Sequence, residues 1–197
     1  MENTQTMDNT IVLLVGVGGQ GTILAGDLLA KTAAASGYDV KISEIHGMSQ
    51  RGGSVQTVVS MGREVHTMIA DEGCADVVVS FEAVEALRNQ QFLKEGGAMF
   101  VNDEQIEPVP VKIGAAQMPQ GVHERLQELG AVAIPAGSIA REAGSPKSTN
   151  VVLMGALSTV LPFGQEVWEE VIAARVPPKT VEANLAAFKA GRAAAGA

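Results

Sequence analysis

Short, wholly apolar runs recur along this chain between longer stretches whose apolar positions return at helical spacing. That alternation is the signature of strands buried between helices. The first run, Ile11-Val-Leu-Leu-Val15, stops at Gly16 and predicts a central first strand. A helix is predicted from Gln20 to Ser36, with Leu24 and Leu28 on one face and Gly37 where a C-terminal cap belongs. The segment from Tyr38 to Ile45 predicts a second strand, after which Gly47, Gly52 and Gly53 interrupt any helix. Val55, Thr57 and Val59 alternate with Gln56, Val58 and Ser60. A turn at Met61-Gly-Arg-Glu64 and a second β-like run from Val65 to Ile69 then predict a hairpin.

The alternation resumes with a strand at Asp76–Ser80, a helix near Glu82 to Gln91 and a strand near Ala98 to Asn102. Pro108, Pro110 and Pro119 mark an irregular stretch with a weak strand at Val109–Ile113. A helix near Gly121 to Leu129 and a last strand at Ala131–Pro135 follow. After Ile139 the pattern is helical: Asn150 to Leu161, Gln165 to Arg175, and a segment opened by Pro177-Pro178. In that third segment Val181, Leu185 and Phe188 share a face and should dock. The expected fold is an open, mostly parallel α/β sheet, Rossmann-like, with an inserted β-hairpin and a C-terminal helical region. It forms one domain over residues 1–197, with residues 1–9 and 190–197 as flexible ends.

Composition narrows what such a sheet can do. Fourteen Lys and Arg against twenty-two Asp and Glu give a formal net charge of -8, and no basic run exists to track phosphates, so nucleic acid is not an expected partner. The segment Met1–Thr10 is polar, and no apolar stretch is long enough to span a bilayer, so the expectation is a cytoplasmic protein without membrane contact. Cys74 is the only cysteine, which excludes an internal disulfide and a cluster ligated by this chain's thiolates. Any electron-transfer centre belongs to another chain.

Gly16-Val-Gly-Gly-Gln-Gly21 has the G-x-G-x-x-G spacing, and it falls between a predicted strand and a predicted helix. Glycine allows the tight turn and a close approach of backbone to ligand, while the N–H groups at the helix start favour an anion. Glu44 lies about twenty residues further on, where a ribose-binding carboxylate is expected in a dinucleotide site. The same glycines also serve a turn that binds nothing and only packs strand against helix, and that reading stays open. Against a dinucleotide stand the missing helix after the second strand and the lack of a motif placing a His, Lys or Cys for hydride transfer.

The loop Glu44-Ile-His-Gly-Met-Ser-Gln-Arg-Gly-Gly53 gathers Glu44, His46, Ser49, Gln50 and Arg51 at the edge where α/β sheets place their sites. Arg51 suits a phosphate or carboxylate, and His46 can donate or accept near neutral pH. Together with the glycine turn, the Asn150–Leu157 stretch and Pro177-Pro-Lys-Thr-Val-Glu-Ala-Asn-Leu-Ala-Ala-Phe188, this loop resembles the gamma-type subunits of 2-oxoacid:ferredoxin oxidoreductases, most closely those of the indolepyruvate type. The resemblance implies a small accessory subunit. Its large partner would carry thiamine diphosphate and [4Fe-4S] clusters, oxidatively decarboxylate an aryl 2-oxoacid to an acyl-CoA, and reduce ferredoxin. It carries over no catalytic residue. Gly16, Gly18, Gly19, Gln20 and Gly21 are expected to shape an anion-tolerant turn, and Glu44, His46, Ser49, Gln50 and Arg51 to meet the partner or its CoA-side ligand. Pyruvate and 2-oxoglutarate enzymes use similar modules, and a free-standing NAD(P)- or nucleotide-binding protein is the alternative.

The remaining candidates read as structural. Cys74 precedes a buried strand and is expected to be an inert, partly buried thiol. His66 and His123 are isolated, and no His/Asp/Glu spacing suggests a metal. Glu166, Glu169 and Glu170 form a solvated helix face, with Trp168 beside them as a possible interface anchor, and the eight methionines suit core gaps.

Overall fold

The computed structural model describes residues 9–47 and 52–196. Its strands are β1 (Thr10–Val17), β2 (Asp39–His46), β3 (Ser54–Gly62), β4 (Ala75–Ser80), β5 (Leu93–Asn102) and β6 (Val132–Ile134). The helices are α1 (Thr22–Ala35), α2 (Ala83–Arg88), α3 (Val109–Lys112), α4 (Val122–Glu128), α5 (Ala136–Glu142), α6 (Thr149–Leu157), α7 (Gln165–Arg175) and α8 (Val181–Ala194).

The strands form one sheet in the order β2-β3-β1-β4-β5-β6. β3 is antiparallel to both β2 and β1, and the pairs β1/β4, β4/β5 and β5/β6 are parallel. Every strand except β3 therefore runs the same way, as a mostly parallel sheet requires, and their carboxyl ends share one edge. The apolar run of β1 is buried from Val12 to Val15 because helices cover both of its faces. On one face α1 and the C-terminal helices enclose Val12, Leu14, Leu28, Val79, Leu153 and Trp168. On the other, Leu13, Val15, Val78, Ala86, Val101 and Leu126 meet beneath α2 and α4.

The structure corrects four local expectations. The hairpin over 55–69 does not form: β3 pairs back onto β2, so the hairpin is β2–β3 and the connection passes through the glycine loop. Residues 65–69 carry no strand, and Val65 instead donates its N–H to the Asp39 carboxylate at 2.8 Å. The weak strand at Val109–Ile113 is the one-turn helix α3, entered through Pro108, whose fixed φ suits a helix start. Trp168 is not an interface anchor but fully buried, its ring 5.8 Å from Phe188 and 6.3 Å from Phe163.

α8 continues to Ala194, past the point where the alanine-rich composition suggested fraying. It is held by close packing rather than by propensity. A methyl group on Gly155 of α6 would collide with the Phe188 carbonyl, and one on Gly191 of α8 with the Val152 carbonyl, so the two helix backbones meet directly. α5 was not foreseen as a separate element, since its apolar positions are mostly alanine and give little periodic contrast.

Candidate functional site

The site grows from the carboxyl end of β1. The turn after Val17 needs left-handed backbone at Gly19 (φ +106°) and Gly21 (φ +88°), where a side chain would be strained. Gly16 meets a different demand, because a Cβ there would lie 2.8 Å from Gln20 Oε1 and 2.9 Å from Phe81 Cβ. Gln20 braces this arrangement: its Oε1 accepts the Val17 N–H at 2.7 Å and its Nε2 donates to the Phe81 carbonyl at 2.9 Å. Its amide is committed to the turn, so Gln20 acts as a strut. The Asn150 side chain at the start of α6 donates to the Gly21 carbonyl at 3.4 Å.

The loop after β2 is hooked onto this turn. The Gly18 N–H donates to the Gly53 carbonyl at 2.8 Å, and the Gly52 N–H to the Gly18 carbonyl at 3.3 Å. Glu44 and His46, on the same face of β2, then line a pocket of about 490 Å³ with Gly18, Gly19, Gly21, Thr22 and Ile23. Both side chains are exposed. Among the described residues no side chain caps the N-terminus of α1, so this pocket borders a helix start whose backbone N–H groups suit an anion. The geometry thus brings Gly18, Gly19, Gly21, Glu44 and His46 together and puts Gly16 and Gln20 behind them as support. Ser49, Gln50 and Arg51 lie outside the described residues.

A second cavity, of about 690 Å³, opens on the other side of Val17 and Gly52. Its walls are α2 and the strap of residues 104–119, with Val84, Leu87, Ile106, Val111 and Met118 among them. Glu82 and Glu85 lie in it with almost no exposure. Burial pushes the Glu82 carboxyl above the usual carboxylate range, although the N–H groups of Glu85 and Ile106, at 2.8 Å and 3.0 Å, oppose that shift. Glu85 accepts the Ser54 hydroxyl at 2.6 Å and the Arg88 guanidinium at 2.9 Å. Sequence reasoning missed this pair. The available signal was two glutamates in the turn after a buried strand, a position that faces the carboxyl edge of the sheet.

Cys74 is exposed, which corrects the expectation of a partly buried thiol: it closes a turn in which its N–H donates to the Asp71 carbonyl at 3.2 Å. His66 and His123 are exposed beside Glu64 and Asp103. Among the described residues no group of three or more His, Cys, Asp or Glu could hold a metal ion, and no helix is long and apolar enough to cross a membrane.

The model of the pyruvate ferredoxin/flavodoxin oxidoreductase family matches residues 11–194, which span every strand and helix just described except the first residue of β1. The chain belongs to this family. Within it, the chain is 44% identical over 187 residues to the indolepyruvate oxidoreductase subunit IorB of Thermococcus kodakarensis, covering 91% of this chain and 93% of that one. Among solved structures, the gamma subunit of a keto/oxoacid ferredoxin oxidoreductase from Geobacter sulfurreducens superposes with a TM-score of 0.71 at 24% identity, covering 94% of this chain and 98% of that one. That likeness shows a shared fold. The 2-oxoglutarate:ferredoxin oxidoreductase of Magnetococcus marinus, solved with 2-oxoglutarate, coenzyme A and succinyl-CoA bound, has a TM-score of 0.73 at 25% identity over 96% of this chain and 31% of its own. The chain therefore corresponds to a whole small subunit in one relative and to a portion of a longer polypeptide in another.

Proposed function

We propose that this chain is the small accessory subunit of an indolepyruvate-type 2-oxoacid:ferredoxin oxidoreductase. The observation that carries the reading is the 44% identity to an indolepyruvate oxidoreductase subunit over nearly the full length of both chains. On this reading, thiamine diphosphate and [4Fe-4S] clusters on a large partner supply the decarboxylation and electron transfer that turn an aryl 2-oxoacid into an acyl-CoA and reduce ferredoxin. A chain with one exposed cysteine cannot ligate such a cluster alone, which fits that division of labour.

The residues of this chain bind and orient. The helix start behind Gly19 and Gly21 offers backbone N–H groups to a phosphate of CoA, and Glu44 offers a carboxylate to hydroxyl groups of the same ligand. His46 adds a donor or a positive charge according to pH. Ser49, Gln50 and Arg51, in the loop between β2 and β3, meet the partner or the phosphates. Gly16 and Gln20 hold the turn in shape and touch no ligand.

Reconstitution with the co-expressed large subunit tests this reading. Arg51→Ala is expected to weaken assembly or raise the KM for CoA several-fold, and an unchanged complex with unchanged turnover would remove the loop from the site. Because Glu44 shares a pocket with the glycine turn, the isolated chain should also be titrated with NAD, FAD and CoA by calorimetry. Micromolar binding of a dinucleotide would favour the free-standing nucleotide-binding reading instead.

A further inference from the structure

The two edges of the sheet are built differently. β6 has only three residues, whereas β2 has eight, and its ladder with β3 runs unbroken from Asp39 opposite Gly62 to His46 opposite Val55. Among the described residues no strand lies on the outer side of β2. An open edge of that length presents a row of N–H and C=O groups that another strand can satisfy, and proteins that keep such an edge solitary blunt it with proline, a bulge or free charge. β2 has neither proline nor bulge, its one lysine, Lys41, is held by Asp39 of the same strand at 3.2 Å, and the single free charge it carries, Glu44, faces the glycine-turn pocket. Its side chains include Ile42 at 44% and Ile45 at 55% exposure.

We infer that β2 pairs antiparallel with β2 of a second copy of this chain, in a register centred on Ile42. A two-fold axis perpendicular to the sheet keeps opposed side chains on one face, so the axis must pass through a residue position of β2. Centring on Lys41 sets lysine against lysine, and centring on Glu44 sets glutamate against glutamate. Centring on Ser43 puts Ile42 opposite a glutamate, an apolar side chain against a carboxylate. Centring on Ile42 buries that side chain against its own copy and directly opposes no like charges; the two copies of Lys41 fall on a diagonal, each paired with Asp39 of its own strand.

This register completes the pocket at the glycine turn. It sets Val40 of the second copy opposite Glu44 and Tyr38 of the second copy opposite His46. Tyr38 and Val40 pack with the core on the α1 face, the face to which Glu44 and His46 also belong. The Tyr38 ring packs against Phe163 at 5.6 Å, so it is delivered in a fixed position. The site of one copy is thereby walled by the other. The inference needs no large subunit and stands apart from the choice of substrate.

Light scattering of the full-length chain during size exclusion, loaded from low micromolar concentration upward, should give twice the 20.4 kDa chain mass. Ile42→Lys should return the chain mass with an unchanged far-UV spectrum. The register is read by disulfide capture in a Cys74→Ser background. Ile42→Cys should cross-link under mild oxidation, since directly opposed Cα atoms lie about 4.5–5.5 Å apart, within a disulfide's span. Ser43→Cys should cross-link several-fold more slowly, because its copies sit on a diagonal at about 7–8 Å. Chain mass alone at every concentration overturns the inference, including the case in which a strand of a different subunit occupies the edge. Faster capture at Ser43 than at Ile42 overturns the register.

Discussion

The glycine-turn pocket and the Glu82 cleft flank the same strand end, yet they are made of different material. The pocket is backbone: a turn fixed by Gly19 and Gly21, an uncapped helix start, and two exposed side chains of β2. The cleft is side chain: a long, mostly exposed strap and a short helix drawn together around two buried carboxylates. The glycine turn is braced by the Gln20 amide and by backbone bonds between Gly18 and the Gly52–Gly53 segment, whereas the cleft is braced by the Glu82 carboxylate on the N–H groups of Glu85 and Ile106. Damage to the first should therefore register in ligand binding and damage to the second in the order of the strap.

The largest effect is expected from Glu82→Ala, which removes a helix N-cap worth about 1 kcal/mol and leaves the half-buried Ile106 N–H without its acceptor at about 1 kcal/mol more. Thermal denaturation should show a fall of several degrees, and hydrogen exchange should show loss of protection at Ile106 while the glycine turn stays protected. If both regions loosened together, the cleft and the pocket would be one cooperative unit. Next is Gly21→Ala, which forces a side chain into left-handed backbone at about 1–2 kcal/mol and sets a methyl 2.9 Å from the Asn150 amide. Its loss of CoA affinity in the assembled enzyme should exceed its loss of stability, and retained affinity would show that the turn only packs.

The smallest effect is in the pH profile. The carboxyl of Glu82 has a raised pKa in the folded protein, so the folded state binds more protons than the unfolded chain just above the usual carboxylate value of 4.5. Stability from this group is then lost as pH rises through that window. Glu82→Gln should flatten this decline in denaturant midpoint against pH, and parallel profiles for the two proteins would show that burial does not set the charge of Glu82.

Much of this was open to reading in the chain itself. The run Ile11–Val15 had no polar face to give to solvent, so it could only be a central strand, and a glycine turn leading into an amphipathic segment fixed β1, the turn and α1 within a few residues. The single cysteine was enough to rule out a cluster held by this chain's thiolates alone. Local pattern did not reveal which strands neighbour each other. The alternation in Val55–Ser60 signalled a strand equally well whether its partner lay after it, as expected, or before it and beside β1, as found. Strand pairing is decided by which faces remain to be buried once the helices have docked, a property of the whole sheet.

The same division holds for the site. Glu44, His46 and the glycines are near enough in sequence to share one loop-and-turn grammar, and the fold brings Gly18, Gly19 and Gly21 into one pocket with both side chains. Gln20 belongs to that grammar too, but only its bond to Phe81, sixty-one positions away, reveals it as a strut. Glu82, Ser54 and Ile106 form one cleft although no periodicity links them. Side-chain type and spacing carry the forces that act within an element, namely backbone conformation, helix periodicity and burial of a face. Contacts between remote segments follow from packing and desolvation, and those come into being only when the sheet closes.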